Sequence, residues 1–251
     1  MSKVALFFDD LKHLFRSIPS LVVALFFLSV VLMNLFANKT IVNLPYLALD
    51  GGFLLSWMAF LTMDVLTKHY GAKAADKVNV VALLISLFVS FLCWILSIIP
   101  TPEQDYSAFN SIFGGTWFIL LSSGIAFLLS GFVNNALNAL IHRLFRNRDG
   151  GPAFFLSSYV STLVGQIVDN FTFSALTFMV FAPIFWGPDS AWTFVQCLTG
   201  ALTGALAELL MEVIFSPIGF YITEDWKKNG VGEDYFAYRR EIEAKKQQKQ
   251  A

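Results

Sequence analysis

Asp169 is the only formally charged residue between Pro152 and Pro183. A carboxylate in the middle of a lipid-spanning helix costs about 2.5–3.5 kcal/mol even on the lenient insertion scale. A chain that keeps one there turns it inward, toward a partner or a water-filled cavity. Gln166 stands three residues earlier and shares a helix face with it. Thr162 lies one turn before Gln166, and Phe173 one turn after Asp169. That face offers a hydroxyl, an amide, a carboxylate and an aromatic ring, a set suited to a small, flat, polar ligand.

Other polar groups fall inside apolar runs. Asn135 and Asn138, with Asn134 beside them, repeat the three-residue spacing of Gln166 and Asp169. An amide presents donor and acceptor together, which matches the edge of a nucleobase. Asp64 closes an earlier run; it reads as a ligand contact or as an interfacial carboxylate paired with Lys68 at i+4. Asn34 and Asn38 read as ligand contacts or as hydrogen bonds between helices, worth less than about 1 kcal/mol each. Lys39 reaches the interface by snorkelling. Glu208 and Glu212 sit one turn apart, and a protonatable carboxylate in a bundle can couple transport to protons. The bland reading pairs one of them with a buried cation or places both near the cytoplasmic face. Trp57, Phe171 and Phe173 are the aromatic residues expected beside the polar faces; most other rings are expected to face lipid.

The elements that position these groups follow from composition. Apolar residues make up 56% of the 251, charged residues 14%, and phenylalanine numbers 27. Soluble domains run nearer about 25% charged, so the fold class is an all-α polytopic membrane protein. Residues 1–18 form an amphipathic interfacial helix: Val4, Phe7, Phe8, Leu11, Leu14 and Phe15 share one side, and Asp9, Asp10, Lys12 and Arg16 take the other. Residues 19–225 hold a bundle of six transmembrane helices, at about 19–37, 51–67, 78–99, 115–141, 152–182 and 191–223, with a kink or break expected at Pro217. Residues 226–251 form a polar cytoplasmic tail, frayed or disordered.

Sixteen of the seventeen Lys and Arg residues fall on one side of this arrangement, and only Lys39 on the other. The bias sets both termini in the cytoplasm. Asn34 and Asn38 share their spacing with Asn134 and Asn138, and Asp64 parallels Asp169, so a 3+3 inverted repeat is an expectation. Cys93 and Cys197 lie in apolar runs and read as small buried hydrophobes. No cleavable signal is expected at the N-terminus. No zinc helix, aspartyl pair or phosphate loop is present. His13, His69 and His142 fall near predicted cytoplasmic ends. The reading is therefore not an enzyme, without metal, cofactor or nucleic acid, in contact with the lipid bilayer.

Three stretches carry a family resemblance: Asn34-Leu35-Phe36-Ala37-Asn38-Lys39, then Phe60 to Leu66 with Tyr70 to Ala75, and most specifically Ser161 to Asp169. Over residues 20–225 the chain resembles the vitamin uptake-like, or queuosine precursor, transporters of bacteria. The resemblance implies six helices in the inner membrane and import of a 7-deazapurine precursor, 7-cyano- or 7-aminomethyl-7-deazaguanine. It makes Asn34, Asp64, Asn135, Asn138, Gln166 and Asp169 ligand contacts, with Phe173 and Trp57 as stacking rings. The chain departs from the family at Lys68, where an acid is frequent. It departs again at Asn135 and Asn138, where Gln-x-x-Asp is usual, and near Glu208, where some relatives carry lysine. The open alternatives are a substrate-binding subunit of an energy-coupling-factor importer, a homodimer, and a structural membrane protein that transports nothing.

Overall fold

The computed structural model describes residues 3–100, 105–144 and 151–248. Helices dominate: α1 (Lys3–Ser17), α2 (Ser20–Phe36), α3 (Phe53–Tyr70), α4 (Ala72–Ile98), α5 (Ser107–Leu144), α6 (Gly151–Ser174), α7 (Ala182–Phe185), α8 (Phe194–Lys228) and α9 (Glu233–Gln248). Between α2 and α3 lies an antiparallel hairpin, β1 (Thr40–Leu44) and β2 (Leu47–Asp50), which the all-α reading did not foresee. Thr40 and Val42 in β1 are β-branched, and Pro45 with Tyr46 makes the two-residue turn. The Gly51 N–H donates to the Lys39 carbonyl at 2.7 Å and closes the hairpin's base.

Among the described residues, four helical stretches are long and apolar enough to cross a membrane: Ala72–Ile98, Ser107–Ser130, Leu163–Phe185 and Pro188–Phe215. A fifth is the pair α1 and α2, bent by 109° at Pro19, if the two count as one span. α2 itself has 17 residues, about 26 Å at 1.5 Å per residue, slightly short of a hydrocarbon core of about 30 Å. In α3, Asp64, Lys68 and His69 dilute the apolar run. The chain is thus a helical, multi-pass membrane protein. Its long exposed side chains, such as Leu84, Phe88 and Leu128, supply the lipid-facing surface.

The fifth predicted span is longer than one regular helix. α6 passes into a π-helical segment, Ala175–Phe181, and then into α7. A π turn frees backbone groups, and such turns gather at functional sites. Here the Trp192 N–H donates to the Phe178 carbonyl at 3.1 Å, and the two rings stack with centroids 3.9 Å apart. Of the kink or break expected at Pro217, a break is excluded, because α8 continues through it. α8 begins in a capping box, with Thr193 and Gln196 satisfying each other's backbone N–H. Gln196 also donates to Asn43 Oδ1 at 2.9 Å and to the Leu44 carbonyl at 2.8 Å, so it holds the hairpin. Gly200 lets the hairpin come closer still: a Cβ there would meet the Ala48 carbonyl oxygen at 2.6 Å.

The opposite end is closed by the chain termini. α1 is amphipathic as expected, but Asp10 does not stay on the wet side. It is 4% exposed and pairs with Lys77 of α4 and with Arg239 of α9 at 3.4 Å. The tail is therefore ordered where it was expected to fray. Gly232, with φ +86°, turns α8 into α9, and a Cβ there would meet the Tyr70 ring at 2.7 Å. Leu14, Ile18, Tyr70, Trp226 and Tyr235 form the core beneath this clamp. His13 stacks on Tyr238 at 4.1 Å, and His69 Nε2 lies 2.8 Å from the Val231 carbonyl.

Removing one partner of a fully buried pair costs about 3–5 kcal/mol, and surface exposure reduces that. Asp10→Asn is expected to cost about 2–4 kcal/mol, seen as a clear drop in the melting temperature of the detergent-solubilised protein. Lys245→Ala, on the exposed face of α9, is the control, with an expected change within about 0.5 kcal/mol. Equal melting of the two variants contradicts the clamp.

Candidate functional site

Three carboxylates from three elements border one hollow. α6 contributes Asp169, α8 contributes Glu208, and the end of β2 contributes Asp50. The cavity measures about 100 Å³, several times the ~10–15 Å³ that one water requires. It lies at the hairpin end of the bundle. Ala48 and Leu49 of β2 wall one side, and Gly200 and Gly204 of α8 another. The small residues on α8 bring the backbones close enough to enclose the space.

Each acid has a local anchor. Asp169 Oδ1 accepts from Ser130 Oγ of α5 at 2.9 Å. Glu208 is 7% exposed, and its Oε2 accepts from Asn170 Nδ2 at 3.4 Å. Asp50 Oδ1 accepts from the Gly52 N–H at 2.7 Å, at the start of α3, where the helix dipole favours negative charge. Burial still outweighs these backbone bonds and raises the Asp50 pKa from 3.8 to about 6. No Lys, Arg or His stands among the described lining residues.

Asn34 lines the same hollow and is 5% exposed. Its Nδ2 donates to the Val30 carbonyl at 2.8 Å. No described group donates to its Oδ1. Phe53, Phe173 and Trp192 supply aromatic surface, and Trp192 is fixed by its stack on Phe178.

The structure thus joins Asn34, Asp169, Phe173 and Glu208 from the sequence-predicted set. Two predicted residues are elsewhere. Trp57 stacks on Phe215 of α8 at 4.3 Å, and its Nε1 donates to the Leu54 carbonyl at 3.0 Å, so it packs α3 on α8 instead of lining the hollow. Gln166 is not among the lining residues, and its Oε1 is buried without a hydrogen-bond partner. The side chains of Asp64, Asn135, Asn138 and Glu212 lie outside the described residues. Among the described residues, no group of three His, Cys, Asp or Glu is placed to hold a metal.

Asp50, Asn170 and Trp192 were missed. Asp50 precedes Gly51-Gly52 and reads as a loop acid; only the hairpin's fold inward brings it to the cavity. Asn170 adjoins Asp169, about 100° around the helix, and the i, i+3 pattern passes over it. Trp192 sits in a connection between helices and shows no periodicity.

The raised pKa of Asp50 has a sign. Between pH 4 and 6 the folded protein holds a proton that the unfolded chain has released. Stability therefore falls as pH rises through that window, by up to about 3 kcal/mol for a shift of about two units, and levels off above it. Asp169 and Glu208 face the same hollow and titrate in any variant, so the comparison is between the parent and Asp50→Asn. Thermal melts from pH 4 to 8 are expected to show a shallower fall for Asp50→Asn. Identical slopes contradict the assignment.

Residues 50–222, well over half of the chain, match the family model described as "putative vitamin uptake transporter". The matched region contains all three cavity carboxylates. No curated protein and no solved structure matches the chain.

Proposed function

The chain belongs to the vitamin uptake transporter family, and from that premise we propose that it imports a small, flat, nitrogen-rich solute. The solute named first is a queuosine precursor, 7-cyano- or 7-aminomethyl-7-deazaguanine. The observation that carries this reading is the polar hollow among apolar helices, edged by Asn34, Asp50, Asp169 and Glu208. Hydrogen-bonding groups and aromatic rings lining one hollow suit a heterocycle with polar edges. The resemblance through Ser161 to Asp169 supports the deazapurine assignment.

α2 and α3 complete six spans with the four longer helical stretches in this reading. The segregation of Lys and Arg places both termini, and the clamp between α1 and α9, on the cytoplasmic side of a bacterial inner membrane. The hairpin then faces outward, at the end where a solute enters. Accumulation against a gradient requires an energy source. Asp169 and Glu208 border the solute's own cavity, which favours coupling to protons.

Uptake of radiolabelled solute into cells expressing the protein tests the reading. Asp169→Asn and Glu208→Gln are each expected to lower uptake at least about tenfold, or about 1.4 kcal/mol, with membrane levels and melting retained. Uptake unchanged in both, in folded protein, assigns the polar groups to helix packing and contradicts the proposal. Uptake that persists after the proton gradient is collapsed removes the coupling while leaving the site.

A further inference from the structure

We infer that the cavity selects solutes bearing a protonated amine beside a flat ring over neutral solutes of the same shape. The inference rests on the reading of this cavity as the solute site. Its basis is the charge of the lining: three acids and no cation among the described lining residues.

The carboxylates of Asp50, Asp169 and Glu208 and the amide carbonyl of Asn34 are all acceptors when the acids are ionised. The described lining donors are all neutral, so none balances the acids' charge: the hydroxyls of Ser56, Ser123 and Ser174, the amides of Asn34 and Asn170, and the Trp192 indole. Ser56 Oγ donates to the Phe53 carbonyl at 3.2 Å, and Asn170 Nδ2 to Glu208. The Asn34 Oδ1 is a separate indication, because it belongs to a neutral side chain that is 5% exposed and receives no hydrogen bond from the described residues.

An ammonium group has three donors and no acceptor. It would satisfy the Asn34 carbonyl and compensate carboxylates that face no cation among the described lining residues. A nitrile is only an acceptor, and in the same position it would face other acceptors. The rings beside the acids reinforce the preference. Trp192 is 6% exposed, borders the cavity and is held by its stack on Phe178. An aromatic face attracts a cation as well as a flat ring.

Two matched pairs of compounds test the inference by thermal shift and equilibrium binding on the purified protein. One pair is 7-aminomethyl- and 7-cyano-7-deazaguanine. The other is pyridoxamine and pyridoxine, which share a ring and differ by an aminomethyl or hydroxymethyl group. In each pair whose members bind, the charged member is expected to bind tenfold or more tightly than the neutral one. That preference is expected to shrink to within about threefold in Glu208→Gln, whose melting without ligand checks that it folds. Binding by pyridoxamine with no binding by either deazapurine sinks the queuosine reading and leaves the charge preference standing. A neutral member that binds as well as its charged partner overturns the inference, and so does the absence of binding by both charged members. Sodium that stabilises the protein and displaces the amine overturns it too, by giving the carboxylates to a metal cation.

Discussion

Carboxylates enclosed within a bundle of apolar helices have to face a cavity, a partner or a proton, and that constraint organises the molecule. Asp169 is the only charged residue between Pro152 and Pro183, and Glu208 lies on a helix whose outer face carries Phe194, Leu202, Leu206 and Leu210. Each would cost about 2.5–3.5 kcal/mol at the bilayer centre on the insertion scale. The fold brings them to one hollow and gives them neutral anchors, Ser130 for Asp169 and Asn170 for Glu208. Those anchors orient the acids, and no cation stands among the described lining residues to balance their charge. A site with unmet charge is suited to a ligand that comes and goes, whereas a permanent salt bridge would fill it.

The hairpin and the clamp give the bundle two unlike ends. At one end β1 and β2 fold in against α8, where Gly200 removes the side chain that would hold them off. This packing carries Asp50 to the cavity. At the other end Asp10 binds α1 to α4 and α9 through Lys77 and Arg239, above a core of large rings. The hairpin is held by the Gln196 and Thr199 side chains and by Ala48, which is fully buried against Phe178, Trp192 and Cys197.

Much of this was legible in the sequence where one residue contradicts its neighbours. Asp169 and Glu208 stand out in apolar runs, and Phe173 follows Asp169 at helical spacing. Asn34 is marked by its place at the end of an apolar run. Such positions reveal themselves because membrane helices tolerate few polar groups. Asp50 lies beside glycines in a stretch that reads as a loop, and a loop acid is ordinary. What makes it unusual is the pairing of two short strands, a contact between segments that neither strand's pattern announces. Asp10 escaped for the converse reason. Its place on the polar face of α1 was read correctly, but that face meets another part of the protein instead of water. The tail looked too polar to pack, and it packs through ion pairs and Tyr235. Trp57 was chosen for its nearness to polar positions in the sequence, and the helix face it occupies turns it to Phe215.

Solute protection of a single thiol tests the central claim most directly. With Cys93 and Cys197 replaced, Ser56→Cys places the only thiol on the cavity wall. A small maleimide should label it, and saturating transported solute should slow labelling several-fold. A cysteine at Lys245, whose side chain is 68% exposed on α9, should label at the same rate with or without solute. If the Ser56→Cys protein imports its solute normally and that solute leaves its labelling unchanged, the solute does not occupy this hollow.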